Sequence, residues 1–189
     1  MNQSEVTVQL KKVHPDAIEP TYAKSLDAGF DLYAIEDTVI SPGNSAKIRT
    51  GIAVALPVGH EIQVRPRSGV SDKTKLRVSN APGTCDAGFR GEICVLIDNI
   101  AQLMPSWVVD GELKFRETKE LLGIDGKPTD YLPNGLEGET FFERTYVIKK
   151  GDRIAQGVLA SVLQAAFEEV DELDETERGT GGFGSSGTT

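Results

Sequence analysis

Short runs rich in β-branched residues recur along the chain, and turn residues such as glycine and proline separate them. Examples are VTVQL at 6–10, EIQVR at 61–65 and RIAQGVLASVL at 153–163. Many short strands with such punctuation are typical of β-sandwiches and barrels. Helical periodicity is scarce, and a single short helix is predicted over 69–75. The sequence therefore predicts an all-β domain.

The charge of the chain limits the partners we expect. Lysine and arginine number 20 against 29 aspartates and glutamates, a net charge of −9, which disfavours a nucleic-acid interface built on a basic patch. No stretch approaches the ~20 apolar residues of a membrane span, and the N-terminus lacks a signal-peptide pattern. The two cysteines, Cys85 and Cys94, then fit a reducing compartment. We expect a cytoplasmic protein with neither a nucleic-acid nor a membrane partner.

Two segments lack the strand pattern. Residues 101–144 include the single tryptophan, Trp107, and show no clean periodicity. A connection of that length is typical of a functional loop or a small subdomain, so we predict an insertion there. The acidic stretch FEEVDELDETE at 167–177 indicates a last strand or an extended arm. It leads into RGTGGFGSSGTT, so we predict one domain over 1–177 and a flexible glycine-rich lid over 178–189.

The stretches AGFDLYA (28–34) and VRPRSGVS (64–71) place polar side chains beside turns. Asp31 interrupts an apolar run, and an outward-pointing strand residue is the plainer interpretation. Ser68 and the backbone N–H groups after it could hold an anion at a helix start, with Arg67 adding a charge-assisted contact. A capped turn with exposed arginines explains that stretch equally well.

The stretch SNAPGTCDAGFRGEICVLIDN (79–99) is the most informative. Two turns flank Asp86, and a carboxylate held in a hairpin beside backbone amides suits a general base. Phe89, three residues on, could pack against a substrate ring, although a plain hairpin with an aspartate in its turn remains possible. In KKGDRIAQGVL (149–159), a buried Gln156 would need either backbone or ligand partners.

In this order, AGFDLYA, RPRSGVS, NAPGTCDAGFRGEI, GDRIAQ and RGTGGFGSSG resemble the five motifs of the trimeric dUTPase family. The resemblance covers the chain from Leu26 onward, apart from 101–144. It implies a distorted jelly-roll (β-clip) barrel that assembles as a homotrimer, with active sites shared between subunits and closed by the C-terminal arm. It also implies hydrolysis of dUTP to dUMP and pyrophosphate, with Mg²⁺ as cofactor.

The same resemblance implies a role for each motif residue. Asp86 would be the catalytic base that activates water, and Asp31 would reach Mg²⁺ through water. The other motif residues would bind dUTP: Asn80 and Gly83 the uracil edge, Phe89 the sugar, Arg67, Ser68, Gly69 and Gln156 the phosphates, and Arg178, Phe183 and Gly184 the substrate from the tail.

Three departures from the family pattern are visible. Phe89 stands where family members usually carry tyrosine, Gly157 stands where a larger apolar residue is common, and compact members lack the insertion. Similar insertions in phage-encoded relatives suggest a phage-type member acting in the host cytoplasm. Two alternatives stay open: a dCTP deaminase of the same fold, and a regulatory protein-binding role for the insertion.

Overall fold

The computed structural model of the protein describes residues 5–181, where nearly all regular structure is β. The helix in this part of the chain, α1, spans Ser68–Lys73, and no helix there is long and apolar enough to cross a membrane. In chain order the strands are β1 (Gln9–Lys12), β2 (Phe30–Tyr33), β3 (Thr38–Ile40), β4 (Ser45–Arg49), β5 (Ile52–Ala55), β6 (His60–Pro66), β7 (Leu76–Val78), β8 (Gly83–Asp86), β9 (Cys94–Asn99), β10 (Pro105–Val109), β11 (Glu112–Phe115), β12 (Glu117–Thr118), β13 (Leu121–Leu122), β14 (Pro128–Thr129), β15 (Phe141–Phe142), β16 (Tyr146–Ile148) and β17 (Arg153–Ser161).

One four-stranded antiparallel sheet, in the order β2-β17-β6-β8, carries the candidate site. Strand β17 pairs with β6 from Ala155 opposite Pro66 to Ser161 opposite His60. The further sheets are β14-β13-β16-β3, β4-β9-β7, β1-β5, β10-β11 and β12-β15. This arrangement confirms the predicted all-β fold and is consistent with a distorted jelly roll.

The core is built by the alternation of apolar and polar residues along the strands. In β6, Ile62 and Val64 are buried, whereas Arg65 is exposed, because successive strand residues point to opposite faces. Each large core side chain removed from water contributes about 1.5–3 kcal/mol before entropic costs. The core draws on several strands through residues that are at most 2% exposed: Leu32, Ile48, Ile62, Val95, Ile148 and Ile154.

Most of the predicted elements are confirmed, with shifts of a few residues in their bounds. The first strand lies at Gln9–Lys12, later than the predicted 6–10. The helix begins at Ser68 and ends at Lys73, within two residues of the predicted bounds. The acidic stretch 167–177 forms no strand and is exposed, so it is an extended arm.

The insertion divides into an exposed hairpin and a buried part. Strands β10 and β11 join through Asp110 and Gly111, both with positive φ (51° and 81°), as in tight hairpin turns. Trp107 in that hairpin is 61% exposed. In contrast, Leu121 in β13 is fully buried and its strand joins the sheet of β16 and β3. The second half of the insertion is therefore integrated into the body of the domain.

Candidate active site

A cavity of about 510 Å³ brings together residues of the first, second and fourth motifs. Sheet pairing explains this, because β17 lies between β2 and β6 and carries Gln156 opposite both Asp31 and Arg65. The predicted phosphate and metal residues line the cavity as a group: Asp31, Arg67, Ser68, Gly69 and Gln156.

Asp31 links Arg67, which lines this cavity, to Arg153, which does not. Its Oδ1 accepts a hydrogen bond from Arg67 Nε at 2.9 Å, and its Oδ2 accepts one from an Arg153 terminal nitrogen at 3.1 Å. The Asp31 side chain is only 12% exposed. One carboxylate facing two guanidinium groups leaves a local positive charge, which favours an anion. Arg153 was missed in the sequence, although it lies inside the GDRIAQ motif.

The Gln156 side chain occupies space that is open only because residue 29 is a glycine. Its Nε2 donates to the carbonyl of Pro66 at 2.9 Å, and its Oε1 lies 2.5 Å from where a Cβ on Gly29 would be. Any larger residue at Gly29 would displace the glutamine, because real Cβ contacts are not this short. Gln156 therefore has the backbone partner that burial requires, and it still lines the cavity.

A second cavity, of about 260 Å³, collects the residues of the third motif: Asn80, Gly83, Asp86 and Phe89. Asp86 is the exposed last residue of β8, and its carbonyl accepts the N–H of Phe89 at 3.0 Å. The Asn80 Nδ2 lies 3.0 Å from the place of a Cβ on the buried Gly83. The strand end thus presents a carboxylate, an amide and an aromatic ring to one concave surface.

The ring of Phe89 is held by its own loop. Its Cζ lies 2.6 Å from the place of a Cβ on Gly91, so a side chain at Gly91 would push the ring away. Arg90 donates to the carbonyls of Ala87 and Phe89 at 2.6 and 2.8 Å, which closes the loop. Phe89 as a whole residue remains 44% exposed.

Both cysteines line this second cavity. Burial raises the pKa of the Cys85 thiol and of the Cys94 thiol, which favours their neutral form. Cys85 is buried and Cys94 is half-buried. They act as small apolar surface.

Asp31 of the first cavity and Asp86 of the second lie far apart on the same sheet. Asp31 is opposite Gln156, whereas Asp86 is opposite Glu61, which pairs with Ala160. The four residues from Gln156 to Ala160 span about 13 Å, and three strand spacings add about 14 Å across the sheet. The backbone of Asp31 is therefore about 19 Å from that of Asp86.

Phe30 explains the departure at Gly157. The Phe30 ring lies 2.3 Å from the place of a Cβ on Gly157, and it also meets the ring of Tyr22 edge-on at 5.7 Å. The volume that a larger residue at Gly157 would take is filled by a neighbouring aromatic ring. Packing of this strand is therefore preserved.

The described residues include only part of the predicted C-terminal lid. Arg178 is exposed, and its Nε donates to the carbonyl of Gly181 at 2.9 Å. Phe183 and Gly184 lie outside the described residues. Between residues 5 and 181, no group of three or more His, Cys, Asp or Glu side chains is placed to hold a metal ion.

Comparisons with known proteins agree on one family. The dUTPase family model matches residues 16–104 and 140–187, so the unmatched part, 105–139, lies inside the predicted insertion. The deoxyuridine 5′-triphosphate nucleotidohydrolase of Nautilia profundicola is 38% identical over 180 residues, covering 95% of this chain and 98% of that protein.

Solved structures of phage proteins share the architecture. A Staphylococcus bacteriophage 80alpha dUTPase with dUpNHpp has a TM-score of 0.82 and 33% identity, covering 96% of this chain and 98% of that one; it is described as controlling transfer of virulence genes by a G protein-like mechanism. A mutant dUTPase from phage phi11 of S. aureus, described with a structural Mg(II) ion, has a TM-score of 0.76 and 29% identity, covering 89% and 99%.

Proposed function

The chain belongs to the dUTPase family, and we propose that Asp86 activates the water with which it hydrolyses dUTP to dUMP and pyrophosphate. The observation that carries this assignment is the position of the Asp86 carboxylate, exposed at the end of β8 in a cavity shared with Asn80 and Phe89. A base must lie within hydrogen-bond reach of the water whose proton it takes. The water then attacks the α-phosphorus in line, and pyrophosphate leaves.

The second cavity fits the nucleoside. Asn80 and the backbone near Gly83 supply donors and acceptors for the uracil edge, and the absence of a side chain at Gly83 lets the Asn80 amide approach. The exposed face of Phe89 packs on the deoxyribose and leaves no room for a 2′-hydroxyl. Fixing the sugar beside Asp86 also fixes the α-phosphate, which lowers the entropic part of the barrier.

The first cavity fits the triphosphate. Arg67 supplies charge, and Ser68, Gly69 and Gln156 supply hydrogen bonds to phosphate oxygens. Asp31 holds Arg67 in place through the 2.9 Å contact.

Mg²⁺ is the cofactor of this reaction. An ion that keeps most of its water and takes its other ligands from phosphates needs few protein carboxylates, which suits a site with Asp31 and no acidic cluster among residues 5–181. Asp31 would hold the ion through water. When bound, Mg²⁺ neutralises phosphate charge and fixes the triphosphate conformation.

A single protomer cannot bring Asp86 and Asp31 to the same phosphate group of one dUTP molecule. The backbones of Asp31 and Asp86 are about 19 Å apart, whereas the base and the phosphate-binding residues must act on adjoining atoms. We therefore propose a homotrimer in which one subunit supplies the third motif and another supplies the first, second and fourth. The exposed arm supports assembly, because Leu163, Phe167 and Leu173 are 97%, 97% and 87% exposed in the single chain.

The tail completes the site in this proposal. Arg178 binds the terminal phosphate, and Phe183 and Gly184 cover the uracil, with the glycine-rich segment acting as a lid over a neighbouring subunit's pocket. A chain truncated after Glu177 tests the lid: we expect a folded trimer with severely reduced activity. Near-normal turnover of that variant would refute it.

The activity test compares pyrophosphate release from dUTP with release from dTTP, dCTP and UTP. We expect release from dUTP alone at an appreciable rate. The relatives found are named as dUTP nucleotidohydrolases, which favours the hydrolase over a dCTP deaminase. Ammonia production from dCTP would overturn this choice.

A second candidate function is a regulatory role for the insertion. The protein would act in the cytoplasm of the cell, or in that of the host cell if the gene is phage-encoded. The observation that favours it is the exposed apolar surface of the β10–β11 hairpin, with Trp107, Val108 and Leu113 at 61%, 66% and 52%. Other insertion aromatics have aromatic or cationic neighbours: the Phe115 and Phe142 rings meet at 6.2 Å, and the Lys149 Nζ lies 4.8 Å from the centre of the Tyr131 ring. Deletion of the hairpin alone tests the role: full hydrolysis with loss of a protein partner supports it, and unfolding of the domain counts against it.

A further inference from the structure

The short helix α1 depends on its surroundings for its position. It contains six residues, and helices this short are unstable alone because nucleation is costly. Arg67, just before it, has no side-chain capping hydrogen bond and is fixed instead by Asp31. After it, the Thr74 hydroxyl donates to the carbonyl of Val70 at 2.6 Å. What contacts the end of α1 therefore helps to set where Ser68 and Gly69 lie.

A turn of the insertion packs on the last carbonyl of α1. In the turn 123–127, the N–H of Gly126 donates to the carbonyl of Gly123 at 2.9 Å, and the N–H of Gly123 donates to the carbonyl of Lys127 at 2.9 Å. Gly126 has φ +75°, and a Cβ there would lie 2.2 Å from the carbonyl oxygen of Lys73. Only glycine allows this contact without movement of the turn or of the helix.

The turn is anchored firmly enough to hold the helix. Leu121, just before it, is fully buried, and Leu122 donates its N–H to the carbonyl of Thr145 at 3.0 Å. Leu122 also pairs with Tyr146 of β16. The Tyr146 hydroxyl accepts the N–H of Lys75 at 3.1 Å. The paired strands β13 and β16 therefore also contact the chain just after α1.

The turn also faces the residues assigned to the phosphates. A cavity of about 520 Å³ is lined on one side by Arg67, Gly69 and Lys73, and on the other by Ile124 and Asp125 of the turn. The insertion therefore contacts the end of α1 at Lys73 and shares a cavity with the start of that helix, where the proposed phosphate-binding residues lie.

We propose that the insertion turn 123–127 is a positioning element for substrate binding, in which Gly126 sets the location of α1 and thereby of Ser68 and Gly69. The inference rests on the proposed function of those two residues. It assigns the buried part of the insertion a role in binding the triphosphate, separate from any role of the exposed hairpin. Uracil and sugar recognition, which belongs to the third motif, is independent of the turn.

The variant Gly126→Ala tests the proposal against the matched control Gly138→Ala. Both glycines lie in the insertion with positive φ (75° and 86°), but nothing lies within 4 Å of a Cβ at Gly138. The readouts are the dissociation constants of dUpNHpp, which carries the triphosphate, and of dUMP. We expect Gly126→Ala to weaken dUpNHpp binding about tenfold and to leave dUMP binding unchanged, with no effect of Gly138→Ala on either ligand.

A second variant keeps the test decisive if Gly126→Ala does not fold. Tyr146→Phe removes only the hydroxyl that accepts the Lys75 N–H, and we expect a smaller, equally selective loss of dUpNHpp affinity. Equal losses for both ligands, or no loss in either variant, overturn the positioning role. Wild-type protein that binds no dUpNHpp and releases no pyrophosphate from dUTP would instead refute the proposed function itself.

Discussion

Arg67 and Asp31 are joined by a 2.9 Å hydrogen bond from Nε to Oδ1, which ties the second motif to the first. Asp31→Asn removes the charge that faces Arg67 and Arg153, so the two guanidinium groups repel with no carboxylate between them. We expect unfolding free energy to fall by about 1–3 kcal/mol, measured by denaturant titration. Glu112→Gln, which breaks an ion pair whose Glu112 side chain is 75% exposed, is the control and should cost less than about 1 kcal/mol. Equal effects of the two variants would contradict a structural role for Asp31.

Asp86→Asn separates catalysis from binding. The amide keeps the size of the carboxylate but cannot take a proton from water, so we expect kcat to fall at least about 10²-fold, with dUpNHpp affinity nearly unchanged. Steady-state assays measure kcat, and calorimetry measures the affinity for dUpNHpp. Asp110→Asn, in the exposed hairpin, makes the same chemical change and should leave kcat as it is. Unchanged turnover in Asp86→Asn would remove the proposed base.

Gly91 should influence the choice between deoxyribose and ribose. A methyl group at Gly91 would lie within 2.6 Å of Phe89 Cζ and displace the ring, which opens space for a 2′-hydroxyl. We expect Gly91→Ala to lower the ratio of kcat/KM for dUTP over UTP by about tenfold, because one lost packing contact is worth about 1–3 kcal/mol. Gly88→Ala, where nothing lies within 4 Å, should leave the ratio intact. A ratio that is the same in both variants would argue against steric exclusion by Phe89.

Asp152 should make stability depend on pH. Burial raises the pKa of its carboxyl above the ordinary value, so the folded protein holds that proton more tightly than the unfolded chain does. The contribution is stabilising at low pH and is lost as pH rises from the ordinary carboxyl pKa through the raised one. Asp152→Asn keeps an oxygen that can accept the Lys149 N–H, bonded at 2.8 Å, and should lack this decline in melting temperature. Asp130→Asn, at an exposed position, is the control that should retain the wild-type profile.

The sequence motifs indicated which residues line the candidate cavities better than they indicated the fold around those cavities. Glycine and proline residues marked the ends of strands in the sheet β2-β17-β6-β8, and in β6 the buried Ile62 and Val64 alternate with more exposed residues. The insertion gave no such signal, since β13 and β14 have two residues each and owe their order to β16. The sequence alone did not indicate a role for Arg153, because that role depends on a contact with Asp31, 122 positions away in the sequence.

The strand pairing explains why the motif residues divide between two cavities of one chain. Asp86, the proposed base, ends the edge strand β8, whereas Asp31, the proposed metal-binding residue, lies in the opposite edge strand β2 of the sheet β2-β17-β6-β8. No local pattern encodes the distance between sheet edges, because register and strand order are set by packing across the whole domain. The sequence could therefore predict the chemistry of each group but not their separation.

That separation makes complementation between defective chains the expected genetic behaviour. An Asp86→Asn chain and an Arg67→Ala chain would each be inactive alone, because every shared site of the proposed trimer would lack one essential group. In mixed trimers, some interfaces join the intact Asp86 of one chain to the intact Arg67 of the other. Two inactive proteins that are unfolded and refolded together should then regain part of the hydrolysis, whereas either refolded alone should regain none.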